Sequence, residues 1–133
     1  MKSHAINFLV VDDDPATCQI VQATVEKMGH TVRTAQDGKA AIELFASSPD
    51  FFQVVITDHS MPMVNGLGLV QHLRQNHFNG KIIVMSGFLT EALIIEYIEQ
   101  QVTKIIPKQF DFENFEKTLS NLLDHGDGKQ SLD

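Results

Sequence analysis

Phe8-Leu9-Val10-Val11-Asp12-Asp13-Asp14-Pro15 is an apolar run that stops on three carboxylates, and Val54-Val55-Ile56-Thr57-Asp58 repeats the arrangement further along the chain. Two later runs also close on polar groups, Ile82-Ile83-Val84-Met85 on Ser86 and Ile105-Ile106-Pro107 on Lys108. Short, nearly continuous β-branched runs are the mark of strands buried on both faces. Here they alternate with longer segments of helical periodicity, so the chain reads as repeated strand-helix units around a parallel sheet. In such a sheet the carboxyl ends of the strands face one crevice, and residues distant in sequence converge there. The expected fold class is α/β.

Outward from these runs, the first strand is expected over about Ile6 to Val11. Asp14 then supplies an N-cap and Pro15 a first-turn proline for a helix that ends near Met28, with Gly29 as its stop. Thr31 to Ala35 reads as a weaker second strand. Asp37-Gly38 opens a second helix with Ala41, Leu44 and Phe45 on one face, broken by Ser47-Ser48-Pro49. The loop from His59 to Gly66 is rich in turn formers and leads into a helix carrying Leu67, Val70 and Leu73. Ile82 to Met85 is the fourth strand, Thr90 to Gln100 a fourth helix and Ile105-Ile106 the fifth strand. A fifth helix is capped by Asp111, striped by Phe112, Phe115, Leu119 and Leu122, and stopped by Gly126. The folded unit is expected over residues 1–125, with 126–133 a polar tail or the start of a linker that has nothing to bury.

The chain of 133 residues fits one domain and leaves no room for a catalytic domain with a separate cap. Ten basic side chains against seventeen acidic ones give a formal charge of -7, and no Lys/Arg-rich run occurs, so direct nucleic-acid binding is not expected. The single cysteine, Cys18, shares a helical stripe with Val21, Val25 and Met28 and reads as a buried thiol of a reducing compartment. The N-terminal apolar run is unlike a signal peptide, and no stretch is long enough to span a bilayer. A cytoplasmic location without a membrane partner is the expectation.

Carboxylates crowded at one crevice repel one another, and a hard cation is the usual means of keeping them ionised together. Mg2+ suits oxygen ligands and keeps several waters. The expected direct ligands are Asp13 and Asp58, with Asp12 acting through water and the backbone carbonyl of Ser60 completing the set. A carboxylate can attack phosphorus to form an acyl phosphate once charge on the transferring group is neutralised, which makes Asp58 the expected phosphoacceptor. Lys108 would neutralise one phosphoryl oxygen, and Ser86 would donate a hydrogen bond to another. Any one of these residues alone could be a cap, a turn former or a solvated charge. Their coincidence at four strand ends carries the reading. The six histidines lack ligand spacing, His59 reads as an exposed loop residue, and no zinc is expected. No Gly-rich phosphate loop occurs, so the phosphate should come from a phosphorylated donor and not from bound ATP.

The stretches Val10-Val11-Asp12-Asp13-Asp14-Pro15 and Thr57-Asp58-His59-Ser60-Met61-Pro62-Met63-Val64-Asn65-Gly66 resemble the acidic pair and phosphoacceptor loop of response regulator receiver domains of two-component systems, and Ser86 and Lys108 complete that family's active-site set. The resemblance covers about residues 5 to 125. It implies a flavodoxin-like five-stranded parallel sheet of order 2-1-3-4-5 with five helices, two on one face and three on the other. It also implies a phosphorelay: a histidine kinase or histidine phosphotransfer protein donates phosphate from phosphohistidine to Asp58, and the phosphoprotein switches binding of an output domain or target protein, or forms a phosphorylation-dependent homodimer. The chain departs from the family in three places. Pro107 precedes Lys108 and Gln109 follows it where Lys-Pro is usual, which predicts a trans bond after Lys108. Gln101 stands where a glycine is common, and Ile105 replaces an aromatic residue that rotates on signalling. Leu93, Ile94, Ile95, Tyr97 and Ile98 also spread over more of the fourth helix than a core stripe needs, which suggests a contact surface.

Two other classes compete. A phosphorylation-independent pseudo-receiver would bind partners without chemistry, and an aspartate-nucleophile phosphatase of the haloacid dehalogenase type would use Asp12 instead of Asp58.

Overall fold

The computed structural model describes residues 5–108 and 111–124. Its elements alternate strictly: β1 (Asn7–Val11), α1 (Pro15–Lys27), β2 (Thr31–Ala35), α2 (Gly38–Ser47), β3 (Val54–Asp58), α3 (Gly66–Gln75), β4 (Lys81–Ser86), α4 (Glu91–Glu99), β5 (Lys104–Pro107) and α5 (Phe112–Asp124). The strands form one parallel sheet in the order β2-β1-β3-β4-β5. This is the flavodoxin-like architecture that the strand-helix alternation implies, with the reversal of strand order falling between β1 and β3.

The helices start where short polar side chains satisfy the free N–H groups of the first turn. Asp14 accepts from the Thr17 amide at 3.3 Å, Asp37 from Ala40 at 2.7 Å, Asn65 from Gly68 at 2.9 Å, Thr90 from Leu93 at 3.2 Å and Asp111 from Asn114 at 2.8 Å. Helix α1 stops as expected, since Gly29 takes a φ of 97° that a side chain would resist. The expected stop at Gly126, the Phe112 side chain, the Lys108–Gln109 bond and the polar tail lie outside the described residues.

Successive strand residues point to opposite faces, which splits the core in two. Leu9, Val11, Val55, Ile82 and Val84 pack with Ala41, Phe45, Leu69, Leu73 and Tyr97, the contributions of α2, α3 and α4. Phe8, Val10, Val54, Ile56, Ile83, Met85 and Ile106 pack with Val21 and Val25 of α1 and with Phe115 and Leu119 of α5. The sheet is thus covered by three helices on one side and two on the other. Cys18 is buried in the second cluster, where burial pushes its thiol up. No described helix is long and apolar enough to cross a membrane.

Candidate functional site

The parallel register delivers the polar residues to one end of the sheet. Val11 lies opposite Thr57, Asp58 opposite Met85, and Ser86 opposite Pro107, so Asp12, Asp58, Ser86 and Lys108 stand in adjacent positions around the crevice beside the β1–β3 reversal. Asp58 and Ser86 are the last residues of their strands and not the first loop residues. Pro107 ends the edge strand β5, where its missing N–H costs no ladder bond. The amide of Lys108 donates to the Ser86 carbonyl at 2.8 Å and fixes the start of the lysine side chain.

The charged centre is built on one ammonium and two buried carboxylates. Lys108 Nζ lies 3.1 Å from Asp12 Oδ2 and 3.3 Å from Asp58 Oδ2, with the Asp12 and Asp58 side chains only 2% and 7% exposed. Asp13 is exposed at the rim, and oxygens of Asp12, Asp13 and Asp58 all lie within 4.8 Å of one another. Two features suit this cluster to a hard divalent cation. Asp12 Oδ2 is buried and, although close to Lys108, has no donor in hydrogen-bond geometry, so it keeps a lone pair free. Asp13 faces solvent, which leaves room for the waters such an ion retains. Asp12 Oδ1 is committed to the Asp14 amide at 2.9 Å.

The electrostatics follow from crowding. Burial pushes the Asp58 carboxyl up, the charge of Asp12 adds to this, and Lys108 opposes it. Burial weakens the charge on Lys108, but the hydrogen bonds and charges of Asp12 and Asp58 outweigh it and hold the ammonium above its ordinary range. The resting cluster therefore carries more buried negative charge than its one cation balances.

The remaining expected residues lie beside this centre, Ser86 buried and Ser60 exposed. Ser86, 7% exposed, donates its hydroxyl hydrogen to the Phe88 carbonyl at 3.1 Å and accepts from the Phe88 amide at 3.2 Å, so in this state it is tied to the β4–α4 loop. Ser60 is exposed in the loop that follows β3. Phe88 and Met63 project from the two loops flanking the crevice, 80% and 72% exposed.

His59 differs from its sequence reading. It is half-buried, and its Nδ1 is hydrogen-bonded to the hydroxyl of Tyr97 at 2.5 Å, with the two rings edge to face. Tyr97 is fully buried, and burial together with the charge of Asp58 raises its hydroxyl far above the usual phenol range, so it keeps its proton. Gly66 makes this packing possible, since a Cβ there would stand 2.5 Å from the Asp58 carbonyl oxygen, 2.7 Å from the Tyr97 hydroxyl and 2.8 Å from His59 Cα. A half-buried histidine that follows the third strand and an isolated tyrosine in an isoleucine-rich helix carry no local signal of this pairing. It arises from the approach of α4 to the end of β3.

At the far end of α4 the Arg74 side chain replaces a glycine cap. Gln101 takes a left-handed φ of 62°, and its carbonyl accepts from Arg74 at 2.9 Å. Arg74 also donates to the carbonyls of Gln100 at 2.9 Å, Phe78 at 2.8 Å and Gly80 at 3.0 Å. It thus joins α3, the start of β4 and the end of α4.

This architecture has relatives. The chemotaxis protein CheY homolog of Campylobacter jejuni is 31% identical over 127 residues, an alignment covering 93% of this chain and 97% of that protein. The transcriptional regulatory protein ZraR of Escherichia coli is 27% identical over 120 residues, 90% of this chain, which spans only 27% of that regulator's length. Among solved structures, Vibrio cholerae CheY4 superposes with a TM-score of 0.80 at 27% identity, over 89% of this chain and 98% of that one. A CheY-like receiver of Methanospirillum hungatei reaches 0.83 at 19% identity, over 92% and 96%, a likeness of fold alone. The family model described as the response regulator receiver domain matches residues 8–120, and with that match the acidic crevice of this sheet takes its place: the chain belongs to the response regulator receiver domain family.

Proposed function

We propose that Asp58 accepts a phosphoryl group from the phosphohistidine of a histidine kinase or histidine phosphotransfer protein, and that the phosphoprotein switches binding to an output domain or target. The observation that carries this reading is the shared contact of Lys108 Nζ with Asp12 and Asp58 at 3.1 and 3.3 Å, in a cluster able to hold a divalent cation. An oxygen of Asp58 attacks phosphorus, the phosphorus–nitrogen bond breaks, and the imidazole leaves with the electron pair. Lys108 stays on a phosphoryl oxygen as charge builds there. Asp13 and Asp58 would hold Mg2+ directly, Asp12 through water, with the Ser60 carbonyl completing the protein ligands. Bound there, the ion would supply charge neutralisation on the transferring group. Ser86 gives up its bonds to Phe88 and donates to a second phosphoryl oxygen, which frees the β4–α4 loop.

In this reading residues 1–125 are the receiver, 126–133 are a polar tail or the start of a linker, and the protein acts in the cytoplasm. It joins its partners through protein contacts, without nucleic acid or membrane, and homodimerisation on phosphorylation is one form of output. Incubation with acetyl phosphate and Mg2+ should label wild type and leave Asp58→Ala unlabelled. Label on Asp12 would move the chain to the aspartate-nucleophile phosphatase class. A wild type that takes no label and binds no beryllofluoride would be a pseudo-receiver.

A further inference from the structure

His59 links the residue after Asp58 to the middle of α4. Its amide donates to the Met85 carbonyl at 3.2 Å and its carbonyl accepts from the Gly66 amide at 2.8 Å, so its backbone is fixed from both sides. Its ring is then joined to Tyr97, the one buried side chain of α4. The outer side of the helix is open and mixed, with Ile95 54% and Ile98 62% exposed among the exposed carboxylates Glu91, Glu96 and Glu99. Tyr97 shares a wall with the Asp58 carbonyl across Gly66, where no room remains even for a methyl group. Interiors packed this closely pass displacement on instead of absorbing it. Ile105 of β5 lies partly buried against the same cluster as Tyr97, and its branched side chain has restricted torsional freedom and no polar group.

We propose that His59 and Tyr97 are positioning residues that carry the state of Asp58 to α4. Neither touches phosphate or metal. A shift of the 58–59 backbone on phosphoryl loading moves the His59 ring, the Tyr97 hydroxyl follows its partner, and the helix carries Ile95 and Ile98 with it. Strand β5 takes no part in this link. The coupling is reciprocal, so a partner that holds α4 in its shifted position also favours the loaded form of Asp58. The inference rests on Asp58 as phosphoacceptor, and its test measures loading and helix response separately.

The experiment uses the full chain with Mg2+, with and without beryllofluoride, as wild type, Tyr97→Phe, His59→Phe and the double variant. Both substitutions keep a ring and delete one side of the hydrogen bond. Labelling by acetyl phosphate reports loading, and hydrogen exchange at the amides of residues 93–98 reports the helix. In wild type, beryllofluoride should change exchange there by about fivefold or more, the lower end of ordinary coupling. In Tyr97→Phe loading should persist while the change falls to within about twofold, and the double variant should lose no more than either single one. A Tyr97→Phe protein that loads and keeps the wild-type helix response overturns the proposal, as do single-variant losses that add in the double. If Tyr97→Phe fails to fold, His59→Phe decides by the same criteria. A wild type that takes no label removes the phosphoacceptor reading and the link together, an outcome distinct from loading without a helix response.

Discussion

Replacing Arg74 by Met tests the clamp at the end of α4. Met keeps most of the aliphatic stem and deletes the guanidinium, leaving four backbone carbonyls, of Gln100, Phe78, Gly80 and Gln101, without their donor. A hydrogen bond from a charged group is worth about 1.5–3 kcal/mol, so four at the low end sum to about 6 kcal/mol. The true loss is smaller, because the bond to Gln101 is exposed and the other three only partly buried, and the freed carbonyls regain water. Burial also works against the guanidinium, holding its pKa below the usual range. About half that low-end sum, near 3 kcal/mol, is expected, which for a domain of this size lowers Tm by about 10 °C. Urea melts monitored by circular dichroism measure it directly. A loss below about 1 kcal/mol would mean that the carbonyls are satisfied as well by water and that the clamp adds nothing.

The other predictions concern the crevice and the backbone. Because the folded-state pKa of Asp58 is raised above 3.8, the folded protein holds more protons between 3.8 and that raised value, and in the absence of metal its stability falls as pH climbs through this window. Asp58→Asn should abolish that slope and, since Lys108 keeps Asp12 as its partner, raise neutral-pH stability by on the order of 1 kcal/mol; melts in EDTA across pH settle it, and a less stable variant refutes the charge imbalance. Gly66→Ala should destabilise by about 2–3 kcal/mol, since two of the three atoms it would meet are backbone. Slower labelling of Asp58 should accompany the loss, and unchanged stability would show that the β3–α3 contact has slack. Gln101→Gly should stabilise by about 0.5 kcal/mol, the relief of a left-handed side chain less the added freedom of the unfolded chain, and a thermal melt showing destabilisation would place the Gln101 side chain in a contact of its own.

The strand ends were legible because each places a polar group at the end of an otherwise apolar run, a pattern that local sequence displays in full. Asp14, Asp37 and Asp111 announced helix starts for the same reason, since capping is a contact within four residues. Helix α4 was harder. Its apolar residues spread wider than a core stripe needs, and the structure buries Tyr97, half-buries Leu93 and Ile94 and leaves Ile95 and Ile98 outside, but which of them would face the core could not be read from the spacing. His59 was read as exposed since its partner lies 38 residues away. Arg74 gave no signal either, because its acceptors are main-chain carbonyls that every residue carries. The departure at Gln101 was visible as a missing glycine, but the side chain that holds its carbonyl belongs to α3.

Two buried carboxylates around a single ammonium also bear on how this protein would respond to selection. Heat tolerance and signalling pull on the same atoms, because a neutral side chain in place of Asp12 or Asp58 relieves repulsion that the resting state endures and at the same time removes the group that the proposed phosphotransfer requires. An unbiased screen for heat-resistant variants should therefore return to this crevice first and recover silent receivers. A screen that also demands a signal should leave the crevice alone and gather its gains at the far end of the sheet.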